Sequence, residues 1–139
     1  MDFIRISPAD IDQFKSLIGE ANVFCDAESI KKYSHDETED LHFPPEVILK
    51  PSSTQEVSSI LKYCNEQSFP VTPRGAGTGL SGGALPVFGG VILSAEKLNR
   101  ILFIDERNHQ VTVEPGVITQ VLQDAVKEKG LFYPPDPAS

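Results

Sequence analysis

Apolar residues near the start of the chain recur with a helical period. Ile11, Phe14, Leu17 and Ile18 share one face, the stripe expected of a helix packed on one side. Ser7-Pro8-Ala9-Asp10 stands ahead of them. It supplies a hydroxyl to cap free amides, a proline where no amide partner is needed, and an acid near the positive end of the helix. Gly19 is the expected stop. A second short helix is predicted from about Asp26 to Tyr33, after which an acidic stretch and Pro44-Pro45 mark a boundary. Residues 1–42 are thus expected to form a helical arm, and residues 43–139 a separate unit.

From Glu46 onward the pattern changes. Val47-Ile48-Leu49 is a short apolar run ended by Pro51, the mark of a strand buried on both sides. Ser53-x-x-Glu56 then reads as a capping box, and Val57, Ile60, Leu61 and Cys64 follow at i, i+3, i+4 and i+7. Each fully buried Val or Leu on that stripe would contribute about 1.5–3 kcal/mol. Phe69-Pro70-Val71-Thr72 predicts a second strand, and the strand, helix, strand unit should be parallel and right-handed. Val91-Ile92-Leu93 predicts a third strand. Ile101 to Ile104, a polar turn at about Glu106 to His109, and Val111-x-Val113 read as an antiparallel hairpin. A last helix should start near Val117, with Ile118, Val121, Leu122, Ala125 and Val126 on one side, Lys127 and Lys129 at its negative end and Gly130 as its stop. The fold class is α+β, a mixed sheet with flanking helices, and the sequence holds no internal repeat or low-complexity tract.

Composition narrows the function. The 139 residues are 40% hydrophobic and 23% charged, the range of one globular unit. A net charge of -8 with no cluster of Lys or Arg argues against binding nucleic acid, because neutralising a phosphate polymer needs clustered cations. Asp36, Glu37, Glu39 and Asp40 concentrate part of the acid and read as a solvated loop rather than a metal site. The first residues lack a basic segment followed by an apolar one, and no apolar run approaches the ~20 residues that span a bilayer. A soluble, cytoplasmic protein is the expectation. Cys25 and Cys64 form no metal-binding or disulfide pattern; Cys64 falls on an apolar helix face as core filler, with Cys25 undetermined. His35, His42 and His109 lack ligand spacing and are expected on the surface.

The chemistry concentrates in Pro73-Arg74-Gly75-Ala76-Gly77-Thr78-Gly79-Leu80-Ser81-Gly82-Gly83-Ala84, where five of the ten glycines of the chain fall within nine positions. Glycine loses more backbone freedom on folding than any other residue, so such a run needs a cause. A diphosphate supplies one: successive amides in a tight turn form a nest, and missing side chains let phosphate oxygens reach them. Charge-assisted bonds of this kind contribute about 1.5–3 kcal/mol each, enough to matter in an acidic protein. Two familiar phosphate loops fail on their own requirements. Gly77-x-Gly79-x-x-Gly82 fits the dinucleotide string, but Gly83-Ala-Leu-Pro86 follows it instead of a helix. Gly77-x-x-x-x-Gly82 imitates a P-loop, but Gly83 stands where the lysine should be. A flexible linker is disfavoured because linkers seldom join two buried strands.

With these residues the chain resembles the flavin-binding domain of the vanillyl-alcohol oxidase and para-cresol methylhydroxylase (PCMH) group, in its glycolate oxidase and D-lactate dehydrogenase branch. The resemblance rests on Arg74-Gly-Ala-Gly-Thr-Gly-Leu-Ser-Gly-Gly-Ala-Leu-Pro86, Val113-Glu-Pro-Gly116 and Pro134-Pro-Asp-Pro-Ala-Ser139. It implies the first subdomain of a PCMH-type FAD-binding domain over residues 43–139, incomplete at its C-terminus. It further implies that Gly75, Ala76, Gly77, Thr78, Gly79, Leu80 and Ser81 hold the FAD diphosphate through amides and hydroxyls. Pro135, Asp136, Pro137 and Ser139 would line FAD nearer the flavin. Arg74 has two readings of equal weight, a buried brace for the loop through backbone carbonyls or a direct phosphate contact. Relatives that tether flavin covalently use a histidine at the loop position of Thr78, so the resemblance implies noncovalent FAD. It also implies a small 2-hydroxy-acid substrate in the full-length enzyme, with an iron-sulfur subunit as a possible partner and with the substrate-binding and catalytic residues beyond Ser139. Two other readings stay open: a different flavoprotein on the same domain, of alkylglycerone-phosphate synthase or aryl alcohol oxidase type, and a noncatalytic nucleotide-binding module.

Overall fold

The computed structural model describes residues 3–38 and 40–135. Helix α1 spans Pro8–Ile18 and is capped as its sequence predicts: Ser7 and Asp10 form a reciprocal capping box, and Gly19 ends the helix at a φ of 84°. A 3-10 turn, Glu20–Asn22, leads into strand β1, Val23–Phe24. Helix α2, Ala27–Tyr33, is capped by the side chain of Asp26. Strand β2, Val47–Leu49, precedes helix α3, Thr54–Gln67. Strands β3, Val71–Arg74, and β4, Val91–Ser94, flank the glycine-rich segment. Strands β5, Ile101–Asp105, and β6, Gln110–Val113, precede helix α4, Thr119–Lys127.

The main sheet has the order β1-β2-β4-β3. β2 and β3 are parallel, as expected of the strand, helix, strand unit, but both pair with β4, which lies between them. β1 adds antiparallel to the outer edge of β2 through Val23 opposite Leu49 and Phe24 opposite Ile48. Alternate residues of the central strands enter two cores. Val47, Leu49 and Val91 pack with Phe14 and Ile18 of α1, Val23 of β1, and Ile60 and Cys64 of α3. Ile48 and Ile92 point to the opposite face, against Tyr33 and Ile30 of α2. A strand buried on both sides needs such an unbroken apolar run. Residues before position 43 therefore share these cores and supply an edge strand.

Three local expectations are corrected. In α3 the Ser53 hydroxyl accepts from the Glu56 amide at 3.2 Å, but the Glu56 carboxylate reaches the amide of Ser52 at 2.6 Å, so the capping box is displaced by one residue. Leu61 is 44% exposed. Its expected place is taken by Tyr63, whose ring meets Phe14 edge-on at 5.5 Å and Phe69 at 6.2 Å. α1 crosses α3 at this aromatic cluster, which turns the buried stripe toward position 63. On α4, Leu122 and Val126 are buried, but Ile118 and Val121 are exposed. The hairpin β5-β6 forms its own two-stranded sheet with a bulge between Ile101 and Phe103, and α4 contributes only part of its apolar face to packing.

Candidate functional site

The glycine-rich segment leaves the carboxyl end of β3. It must travel back along the sheet to start β4, because the two strands are parallel. Its two halves differ. From Gly82 onward the chain braces itself: Leu85 N–H donates to the Gly82 carbonyl, Val87 to Leu85 and Gly89 to Pro86, with Leu85 and Pro86 buried. In the first half, the amides of residues 75–81 donate to no acceptor among the described residues. Gly77 and Thr78 are half-buried and the other five residues are exposed, so the run of free amides is open to an external acceptor.

The glycines divide on a different line. Gly77 has a φ of 78°, and a Cβ there would meet the Arg74 guanidinium; Gly90 has a φ of 70°, and a Cβ there would stand 2.4 Å from the Pro70 carbonyl oxygen. Those two are needed by the protein's own packing. Gly75, Gly79 and Gly83 have nothing within 4 Å of a built Cβ and no positive φ. Their lack of a side chain has no internal cause, which fits the close approach of a ligand to the backbone.

Arg74 is buried, 9% exposed. Its guanidinium stacks on the Tyr33 ring at 5.2 Å, and Nη1 donates to the Tyr33 carbonyl at 3.5 Å. Tyr33 in turn gives its hydroxyl hydrogen to Glu96, and Lys50 Nζ binds the other Glu96 oxygen at 2.8 Å. Burial and the bond to Glu96 push the Tyr33 hydroxyl above its ordinary value. Burial opposes the Glu96 charge, but Lys50 and Tyr33 outweigh it and hold that carboxyl low. Lys50, Arg74 and Glu96 stand at or just past the carboxyl ends of the three parallel strands, around a single aromatic ring.

The acidic stretch departs from expectation. Glu37 and Asp40 are exposed, as a solvated loop requires, and Glu39 lies outside the described residues. Asp36 is buried, and its Oδ2 has no hydrogen-bond partner among the described residues. Burial works against its charge, but bonds from Thr38 and the field of Arg74 hold the carboxyl below its ordinary value. Thr38 Oγ1 accepts the Gly82 amide at 2.8 Å. These partners lie some forty positions from the loop, and no local pattern in the sequence marks them. No group of His, Cys, Asp and Glu able to hold a metal ion occurs among the described residues.

Of the other expected site residues, Ala76, Leu80 and Ser81 are exposed and Thr78 is half-buried beside the free amides. Pro135 is tied to α4, its carbonyl accepting from Gln123 at 3.1 Å. Asp136, Pro137 and Ser139 lie outside the described residues. The Val113-Glu-Pro-Gly116 motif is built into a turn. Gly116 donates to the Leu98 carbonyl at 2.7 Å, and Glu114 holds the Arg100 guanidinium at 2.7 Å. Pro115 joins Pro51, Leu93 and Gly75 in lining an open apolar cleft of about 280 Å³ at the carboxyl ends of the parallel strands. Ligands of open sheets with parallel strands bind at this end.

A family model described as FAD binding domain matches residues 45–139. The glycolate oxidase subunit GlcD of Bacillus subtilis (strain 168) is 49% identical over 107 residues, which cover 77% of this chain and 23% of that protein. A D-lactate dehydrogenase of Anaerostipes hadrus is 40% identical over 134 residues, covering 96% of this chain and 28% of that protein. Among solved structures, p-cresol methylhydroxylase with substrate bound superposes with a TM-score of 0.78 at 29% identity, covering 87% of this chain and 24% of the other. The chain spans about a quarter of the length of the curated relatives it matches.

Proposed function

The chain belongs to the FAD binding domain family, and from that premise we propose that it holds the diphosphate of noncovalently bound FAD within a dehydrogenase of small 2-hydroxy acids. One observation carries the reading: a run of free amides at residues 75–81, within which the protein's own packing does not require the open backbone of Gly75 and Gly79. The amides of Gly75, Ala76, Gly77, Gly79 and Leu80 would donate to phosphate oxygens, with the hydroxyls of Thr78 and Ser81 beside them. Pro135, Asp136, Pro137 and Ser139 would line the cofactor nearer its flavin. Arg74 acts on this site as a buried cation. It compensates the acidic field of the chain around the loop and seats the loop against Tyr33.

When bound, FAD supplies an acceptor for the hydride of a 2-hydroxy acid, and the protein contributes placement and electrostatics. The substrate class follows from the relatives named as glycolate oxidase and D-lactate dehydrogenase. Noncovalent attachment follows from Thr78, whose hydroxyl has no nucleophilic nitrogen to offer the flavin. No described helix is long and apolar enough to cross a membrane. A cytoplasmic setting and an iron-sulfur partner subunit complete the proposal.

Titrating the chain with FAD, FMN and ADP tests the cradle. FAD should bind tightest, and equal affinity for all three or preference for ADP alone would turn the reading toward a nucleotide-binding module. In the full-length protein, D-lactate or glycolate should bleach the flavin, and acid precipitation should leave a yellow supernatant. A yellow pellet would refute noncovalent attachment.

A further inference from the structure

We propose that the link between α2 and β2 is a strut that holds the phosphate loop in its binding shape, with Thr38 as the positioning residue; this rests on the reading of residues 75–81 as the cofactor cradle. The strut, together with the last residue of α2 from which it leaves, grips the loop at both ends. At the far end, Thr38 Oγ1 accepts the Gly82 amide at 2.8 Å, and Leu41 lies 3.4 Å from where a Cβ on Gly82 would stand. Gly82 is the junction between the free-amide half and the self-braced half, so this bond fixes the point at which the cradle ends. At the near end, the ring and carbonyl of Tyr33 seat the Arg74 guanidinium, which itself lies against Gly77.

Thr38 is itself held. The Asp36 carboxylate accepts the Thr38 amide at 2.8 Å from a buried position. Two residues of the same link, Ser34 and Phe43, are joined by a backbone bond at 2.8 Å, and Ser34 Oγ also pairs with His42 at 2.7 Å. The link is therefore cross-tied, whereas the seven amides it frames are not. A loop without internal bonds loses conformational freedom when a ligand orders it, and any contact that orders it beforehand strengthens binding. Thr38 touches no phosphate in this scheme; it acts through Gly82.

The test compares Thr38→Val, which keeps the shape and removes the acceptor, with Thr38→Ser, which restores it. Ligand-free exchange of the Gly82 amide and backbone order parameters for residues 75–81 are measured beside FAD affinity and the unfolding midpoint. Thr38→Val should expose the Gly82 amide, loosen the loop and weaken FAD binding about tenfold with the midpoint unchanged. Thr38→Ser should recover both readouts. Wild-type Gly82 exchange in Thr38→Val, wild-type FAD affinity in it, or no recovery with serine would each overturn the strut. If the unmodified chain binds no FAD, the cofactor reading fails separately. The exchange arm then decides the strut alone: faster exchange in Thr38→Val upholds it and unchanged exchange overturns it.

Discussion

The guanidinium of Arg74 occupies the space in which a side chain on Gly77 would begin: a Cβ built there would lie 2.2 Å from Nη2. One glycine thus serves the protein, while two of its neighbours have no such duty, and substitution separates them. Gly77→Ala must hold a φ of 78° and displace a buried arginine, so it should lose about 1–2 kcal/mol from the backbone alone. Gly75→Ala and Gly79→Ala meet open space and should keep stability within about 0.5 kcal/mol. Both should nevertheless bind FAD at least about tenfold more weakly, since the added methyl stands where phosphate would approach. Denaturant melts and FAD titrations of the three variants read this out. Unaltered affinity in both Gly75→Ala and Gly79→Ala removes the ligand explanation for those glycines.

Gly116 supports the turn beneath the cleft. A Cβ there would lie 2.0 Å from the Ala95 carbonyl oxygen and 2.9 Å from that of Leu98, both backbone atoms that cannot swing aside. Gly116→Ala should destabilise the chain by about 1–3 kcal/mol. Urea titration measures the loss, and a neutral result would mean that the 95–98 turn is free to shift.

The contact between α1 and α3 sets two pH limits. Ser7 and then the Tyr63 hydroxyl hold the Asp10 carboxyl below its ordinary 3.8. Its contribution is complete above that unfolded value and is lost as pH falls through the lower folded one. The hydrogen bond to Asp10 pushes Tyr63 from 10.0 up to about 12. That contribution is complete below pH 10 and is lost as pH rises toward about 12. Tyr63→Phe should lower neutral stability by about 1 kcal/mol and flatten both limbs. Unfolding free energies across pH decide it, and limbs as steep as those of the parent would place their origin elsewhere.

The two thiols differ in reach. Cys25 is exposed and Cys64 is buried, and burial pushes the Cys64 thiol up to about 11. Because thiolate is the reactive form, a neutral disulfide reagent should consume one equivalent from the native chain and two in denaturant. Two fast equivalents from native protein would contradict the packing of α3 on the sheet.

Where local chemistry decides, the structure was legible in the sequence. Ser7, Pro8 and Asp10 announce α1, the Ile60 and Cys64 stripe announces α3, and the crowding of glycine after Arg74 announces the irregular segment between β3 and β4, because glycine is unfavourable without a use. What stayed hidden depends on distant partners. Two residues, Val23 and Phe24, carry too little pattern to mark β1, which exists because the edge of β2 is there to pair with. Asp36 and Thr38 read as ordinary polar loop residues until Arg74 and Gly82 are brought beside them. Leu61 fits a helical stripe as well as Tyr63 does, and only the approach of Phe14 picks between them. Arg74 illustrates the same point. Its place at the end of β3 is local, whereas its seat on Tyr33 belongs to the assembled sheet.

The position of β4 between two strands made before it has a consequence for biosynthesis. A nascent chain that has emerged only as far as Arg74 holds both flanks of the sheet but not its middle. Neither flank can close until the following segment doubles back and threads the missing strand between them. Completion thus waits on one long-range loop closure, the kind of event that slows folding most. The stretch that would grip the dinucleotide is therefore also the hinge on which maturation turns.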